Sequence, residues 1–437
     1  MVKIQKGIII FYYLLIICPI FQDFFLGKFI GKIGDTPIPI ILFLSTIYIL
    51  IYRIRGKFYK ENKPLFILLI YLVYINIFML FIHIFVLNGQ VVILGENILI
   101  KSLKSIMYFL FINIYVFNIN TYMENLDIKK IFRPFIIATN ILLFAHIFEI
   151  YSPSLFNQLF HNGTVYNRIR LFTSESSFTA IMIFIYPIIS IYYYLYKEKS
   201  KHKSFFYTMI FIFFIVKTGS KSIIINIPIA IIILILSLVI KKVIQRKIEI
   251  NVLKVMLSIV LGGIIIIIAL PKIHQLFGYL ETDMKEYTSI ITRYYTVFIA
   301  FIISLKYPFG IGNALYLYIF PKNLQKYIYL ISDRGYKLNE IYSYINATDD
   351  SMVTSKSGIS QYAMYWGIIG TIIFIIYFIK IYLNILRSNI EGKNIIMLLF
   401  LIIFIGIINF ASFDINYEIF AFLLLSQYLY KYNKITS

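Results

Sequence analysis

An all-α polytopic membrane protein is the fold class this sequence predicts, and three observations predict it. Apolar residues fill 60% of the 437 positions and charged residues only 14%, with a mean hydropathy of +0.83. A soluble core of this length cannot bury that much apolar surface. The apolar residues fall in runs close to the ~20 that a membrane helix needs, not in the ~10-residue alternating segments of a barrel strand. Short polar or basic breaks separate the runs, as turns at a membrane face do.

The runs lie near 7–22, 37–52, 64–87, 103–121, 134–151, 176–196, 205–219, 221–240, 255–270, 358–384, 395–411 and 413–430, which gives twelve expected spans. Lys3 and Lys6 ahead of the first run give it a signal-peptide look, but no small-residue cleavage site follows, so it is read as a first span. Lysine and arginine set the orientation. With the N-terminus inside, 24 of the 41 basic residues lie in the inner segments and 17 in the outer ones, although the outer loops are longer in total. Both termini are then cytoplasmic, and 152–175, 217–221 and 271–357 are extracytoplasmic. The last of these is the longest polar region of the chain. Within it, 294–304 is apolar but too short to cross a bilayer, and is expected as an interfacial or re-entrant helix. No internal repeat or linker is visible, so residues 1–437 read as one membrane domain.

The net charge of +21 follows in part from the lysine-rich, isoleucine-rich composition of AT-rich coding, and gives no reason to expect nucleic acid. Arginine is the informative cation. Only nine of the 41 basic residues are Arg, and the guanidinium fork donates paired hydrogen bonds to phosphate as lysine cannot. Arg168 and Arg170 precede Glu175 where a span begins, an arrangement suited to a phosphate headgroup with a carboxylate beside it. The same spacing also describes ordinary interfacial snorkelling, with Glu175 as an ion-pair partner. Lys221 closes the basic turn Lys217-Thr218-Gly219-Ser220-Lys221, which on its own is a structural hairpin. Arg293 stands ahead of the short apolar helix and of Tyr307-Pro308-Phe309-Gly310-Ile311-Gly312. Asp333-Arg334 and Asp349-Asp350 are solvated loop charges by default. His161 is close in sequence to Arg168 and has the chemistry of a base. His146 and Glu149, one helical turn apart near the end of a span, are expected to face the bundle interior and support the site. No Asp, Glu or His spacing argues a metal site, no cofactor motif is present, and the single Cys18 excludes a disulfide framework.

Taken in order, Arg-x-Arg-x(4)-Glu before a span, Thr-Gly-Ser-Lys-Ser opening another, an Arg ahead of Tyr-Pro-Phe-Gly-Ile-Gly, and Gly367-Ile368-Ile369-Gly370 resemble the O-antigen polymerase and ligase family over roughly 160–375. The resemblance implies a membrane glycosyltransferase of the C type in the bacterial cytoplasmic (inner) membrane. It would take undecaprenyl diphosphate-linked oligosaccharide as donor and acceptor on the outer leaflet, with a chain-length regulator and a flippase as protein partners. It assigns Arg168 or Arg170, together with Arg293 and Lys221, to the diphosphate. Glu175 is the first candidate base and Asp350 the second, with Arg334 and His161 in support and no metal or cofactor. The ligase pattern has a histidine about ten residues before Gly-x-x-Gly; Ser357 holds that place here, which favours a repeat-unit polymerase. A ligase-type transferase, a flippase or similar transporter, and a structural partner in an assembly complex are the readings left open.

Overall fold

The computed structural model describes residues 2–23, 34–56, 58–161, 169–173, 176–218, 221–244, 288–349, 353–409 and 416–436. The expected span at 255–270 lies outside them. The described residues are overwhelmingly helical, with almost no sheet. Among the described residues five helices are long and apolar enough to cross a membrane: Lys60–Val86, Ile98–Met123, Ile128–Tyr151, Phe178–Lys197 and Gly358–Arg387. Shorter apolar helices include Ile4–Ile20, Ile38–Ile51, Asn226–Lys241 and Lys393–Asn409. This is an all-α membrane protein.

The helices are α1 (Val2–Ile17), α2 (Ile38–Ile51), α3 (Lys63–Phe81), α4 (Ile98–Met123), α5 (Ile128–Tyr151), α6 (Pro153–Phe160), α7 (Ser176–Tyr192), α8 (Lys201–Thr218), α9 (Lys221–Ile244), α10 (Thr288–Lys306), α11 (Gly312–Tyr327), α12 (Asn339–Ile345), α13 (Gly358–Arg387), α14 (Lys393–Asn409) and α15 (Tyr417–Thr436). They form two compact units, one of Met1–Tyr74, Leu103–Ile231 and Gly370–Ser437, the other of Ile75–Ser102 and Ile232–Ile369.

In the first unit α7 packs against α5, α8 and α14, and α1 against α5 and α2. Between apolar helices in lipid the hydrophobic effect gives little preference for one partner over another, so close packing and buried polar links set the arrangement. The links are present. Thr139 of α5 meets Ser190 of α7 at 2.9 Å, Asn118 of α4 donates to Ser45 and Thr46 of α2 at 3.1 and 3.0 Å, and Asn409 donates to Asn226 at 2.8 Å. The end of α1 is fixed by two tyrosines. Pro19 has no N–H to offer the carbonyl of Leu15, four residues back. That carbonyl accepts instead from the Tyr115 hydroxyl at 2.9 Å, and the neighbouring Ile16 carbonyl accepts from Tyr186 at 2.9 Å. Beyond this anchor the chain runs through the turn Cys18–Ile20 to Gln22 and Asp23.

In the second unit a small hairpin, β1 (Val92–Ile93) and β2 (Glu96–Asn97), turns through Leu94 and Gly95, both at positive φ. Residues 294–304 lie inside α10, whose Ile291, Tyr295, Ile299 and Ile303 are buried at helical spacing. Tyr295 donates to the Leu324 carbonyl at 2.7 Å and Thr296 to the Ser355 carbonyl at 3.0 Å, so this face is fastened to its neighbours. The opposite face leaves Tyr294, Phe298, Phe301 and Leu305 exposed. Asn76 and Asn313 exchange hydrogen bonds at the start of α11, Asn76 Nδ2 to Asn313 Oδ1 at 3.2 Å and Asn313 N–H to Asn76 Oδ1 at 2.9 Å. α13 bends at Gly367, where φ is 64° and ψ is −170°.

Candidate functional site

The first unit carries a buried polar nest built from α6, the ends of four other helices and the turn at 169–173. Two consecutive peptide groups leaving α1, the N–H of Gln22 and of Asp23, both donate to the carbonyl of Phe172, at 3.0 and 2.9 Å. The Phe21 ring packs on the Phe172 ring with centroids 4.8 Å apart, which adds apolar contact to the same junction. The segment after α1 is thereby docked onto the turn.

The turn is held from α5 and α7. Both oxygens of Glu149, near the end of α5, accept backbone hydrogen bonds: Oε1 from Arg170 N–H at 3.0 Å and Oε2 from Leu171 N–H at 2.8 Å. Charge-assisted bonds of this kind are the strong ones, and they hold Leu171 at a φ of +50°, a conformation costly for a residue with a Cβ. On the other side the Arg170 carbonyl accepts from the hydroxyls of Thr173 and Thr179, at 2.8 and 2.6 Å. The Arg170 side chain is 5% exposed, and its guanidinium donates to Asn157 Oδ1 at 2.8 Å. Asn157 is itself fixed by a hydrogen bond to the Pro153 carbonyl within α6 at 2.7 Å.

His161 follows α6. Its Nδ1 lies 2.8 Å from Asp23 Oδ2, and its ring meets Phe156 edge-on. The imidazole is buried, and Nε2 has no hydrogen-bond partner among the described residues. His161 and Arg170 are both near enough to Glu149 to act on its charge. Gln22 extends the nest to the start of α15, where its amide donates to Asn416 Oδ1 at 2.9 Å and to both oxygens of the buried Glu418 at 3.1 and 3.2 Å. Among the described residues no three His, Cys, Asp or Glu side chains gather as metal ligands.

Compared with models of known protein families and with curated protein sequences, the chain matches none. The chemistry of the site therefore rests on its own residues.

Of the residues the sequence singles out, His161 and Arg170 come together in this nest. Arg168, Glu175 and Asp350 lie outside the described residues, and Lys221 is the first residue of α9. Arg293 and Arg334 belong to the second unit and are exposed there. Arg334 follows a single turn, Tyr329–Ser332, and Glu340 in α12 accepts from the Tyr344 hydroxyl at 3.1 Å and sits 3.4 Å from Lys356 Nζ. Burial pushes the Tyr344 hydroxyl above its ordinary value. Ser357 is the residue before α13, where its carbonyl accepts the Gln361 N–H at 3.1 Å. His146 is buried against the rings of Phe213 and Phe214, at 5.0 Å from each. Glu149 acts on the backbone of the turn.

Asp23, Asn157, Gln22 and Glu418 carry the nest and have no signature in the sequence. Asp23 reads there as the polar end of the first apolar run. Its partner is 138 residues away.

Proposed function

We propose that this chain is a polysaccharide polymerase: a membrane glycosyltransferase that joins oligosaccharide repeat units carried on undecaprenyl diphosphate into a surface polymer, O-antigen or capsule. In this proposal it sits in a bacterial cytoplasmic membrane with twelve spans, both termini cytoplasmic, and the loops 152–175 and 271–357 outside. The observation that carries the proposal is the nest itself. It joins the C-terminal ends of α1 and α5 to the N-terminal ends of α7 and α15, which is the side that the lysine and arginine bias assigns to the outside. Charged groups collected at one end of the spans suit a headgroup reaction at a membrane face. A transporter would place them at mid-membrane in paired broken helices.

Outside the membrane the donor must arrive activated, and a lipid diphosphate needs mainly cations to hold the charge that develops as it leaves. Arg168, Arg293 and Lys221 are the groups proposed for that task. Arg170 is turned inward onto Asn157, so its part is to fix the turn that follows Arg168. The exposed aromatic face of α10, with Arg293 near its start and Lys306 at its end, suits a helix lying in the interface. Ser357 in the place of the ligase histidine favours the polymerase branch.

The test replaces Arg293 in a strain whose own copy of the gene is deleted and follows polymer length on gels. Arg293→Ala is expected to lower polymerisation on the order of 100-fold, and Arg293→Lys to restore only part of it, because the paired donors are lost. Single repeat units accumulate outside the cell. Accumulation inside would mark a flippase, and wild-type ladders from both variants at normal abundance would remove the role given to this arginine.

A further inference from the structure

This inference rests on the transferase proposed above and names the group that activates its acceptor. We propose that His161 is the general base of the transfer, with Asp23 as the positioning residue that holds its ring. An ionised carboxylate only accepts hydrogen bonds, so the Nδ1 that faces Asp23 at 2.8 Å carries the ring hydrogen and Nε2 presents the lone pair. Nε2 is buried and without a partner among the described residues. A buried polar atom left open in a folded protein calls for an explanation, and a proton-transfer role is one of the few available.

The other acid and base groups of the nest are already engaged in hydrogen bonds. Glu149 from α5 has both oxygens on the peptide nitrogens of Arg170 and Leu171, and Glu418 from α15 receives the Gln22 amide. Arg170 from the turn donates to Asn157 and does not accept protons at any relevant pH. Among the groups of the nest that can take up a proton, His161 is the one with a buried atom that has no hydrogen-bond partner among the described residues.

The step balances with groups the proposal already contains. The acceptor hydroxyl gives its hydrogen to Nε2 while its oxygen bonds to the anomeric carbon of the donor. The bond from that carbon to the diphosphate oxygen breaks, and its electron pair departs on the lipid diphosphate. The imidazolium, protonated on both nitrogens against Asp23, then returns its extra proton to water.

The experiment uses the deletion strain complemented with tagged wild-type chain, His161→Gln, Asp23→Asn and Arg293→Ala. Membranes from each are followed for conversion of their own lipid-linked single units to polymer between about pH 5 and pH 9, where histidine titrates. Wild type is expected to lose rate on the acid side. His161→Gln is expected to lower the rate about 100-fold or more at comparable abundance and to lack the acid limb. Asp23→Asn, which leaves the ring but favours the wrong tautomer, is expected to lose about tenfold or more and to distort that limb. Arg293→Ala reports on the transferase itself and keeps the acid limb in its residual rate. His161→Gln within about threefold of wild type overturns the base while leaving the transferase standing. Loss in His161→Gln with Asp23→Asn indistinguishable from wild type in rate and pH profile also overturns it, and makes the histidine a packing residue. Should His161→Gln not reach the membrane, Asp23→Asn decides alone by the same criterion. Normal polymer in the deletion strain removes both proposals together.

Discussion

Gly310 and Gly367 pass each other at backbone contact in the second unit. A Cβ on Gly310 would stand 2.3 Å from the Tyr365 carbonyl oxygen, and one on Gly367 would stand 2.1 Å from the Pro308 carbonyl oxygen. The crossing is tied by two hydrogen bonds, Ile311 N–H to the Met364 carbonyl at 3.1 Å and Ile368 N–H to the Pro308 carbonyl at 2.9 Å. Both glycines are at positive φ, 92° and 64°. Any side chain therefore meets a clash with backbone, which cannot rotate away, and a disfavoured conformation as well. Gly310→Ala and Gly367→Ala are each expected to cost about 1–3 kcal/mol or more and to lower the thermal midpoint of the detergent-solubilised protein. Gly335→Ala is the control for the φ cost alone, since its φ is 71° and nothing lies within 4 Å of its Cβ position. Equal losses at all three positions would show that the crossing adds nothing.

Glu149 supports a second prediction. One carboxylate accepts two adjacent peptide N–H groups, at 3.0 and 2.8 Å. Glu149→Gln keeps the size but leaves a single carbonyl oxygen, and its amide hydrogens face a donor. One buried N–H then loses its acceptor, at about 1–3 kcal/mol. Leu171 also loses what holds it at positive φ. The expected result is a lower thermal midpoint for Glu149→Gln and faster hydrogen exchange at residues 170–173, with exchange in α8 unchanged. Uniform exchange across the unit would point to general destabilisation instead.

The helices of this protein are legible in its sequence because each apolar run is a local property. α5 and α7 can be placed from composition alone. The polar stretch 271–357 is harder, because α10 and α12 bury only one face, and α11, buried all round from Gly312 to Leu317, turns polar over its second half, which lowers the apolar signal that marks a span. The short apolar core 294–304 shows where α10 lies but not that it begins at Thr288, since the buried Ile291 and Thr292 are separated from it by the exposed Arg293. His161 and Arg170 stand out as residue types, yet the contacts that give them chemical meaning come from Asp23 and Asn157. Nothing local to Asp23 distinguishes it from a charge that merely ends a helix. The Gly310 and Gly367 motifs read separately as weak turn signals, and only their crossing explains why both must lack a side chain.

At the other end of α5, Asp127 caps the helix. Its carboxylate accepts from Lys130 N–H at 2.9 Å and pairs with Lys130 Nζ at 2.7 Å, and the lysine hydrogen bond first among the causes holds this carboxyl below the usual range. A lowered value means that the charged form is favoured by folding. Its contribution is therefore complete above the ordinary carboxylate value and is lost as pH falls through the lower, folded one. The group is largely exposed, so screening keeps the charge part small. Asp127→Ala is expected to lower the thermal midpoint at neutral pH, and the difference from wild type is expected to hold in mildly acidic solution and to shrink only in strong acid, below the ordinary carboxylate value. A difference that grows with acidity would contradict the cap.

Tyr115 and Tyr186 offer the sharpest test of how α1 is ended. Pro19 deprives the Leu15 carbonyl of its helical donor, and the Tyr115 hydroxyl takes that place at 2.9 Å while Tyr186 does the same for Ile16. Tyr115→Phe removes one hydroxyl and leaves a buried carbonyl open, which is expected to cost about 1 kcal/mol. Pro19→Ala supplies an N–H that can reach Leu15 if the helix continues by one more turn. In that background Tyr115→Phe is expected to cost distinctly less than in the native chain, whereas Thr139→Val, which breaks the link between α5 and α7, is expected to cost the same in both. A double-mutant cycle on thermal midpoints measures the coupling directly. Strict additivity of Pro19→Ala and Tyr115→Phe would mean that the tyrosine is not standing in for the proline's missing hydrogen. The end of α1, and with it the position of Asp23, would then have to be set by the packing of Phe21 on Phe172 and by the two peptide bonds to the Phe172 carbonyl.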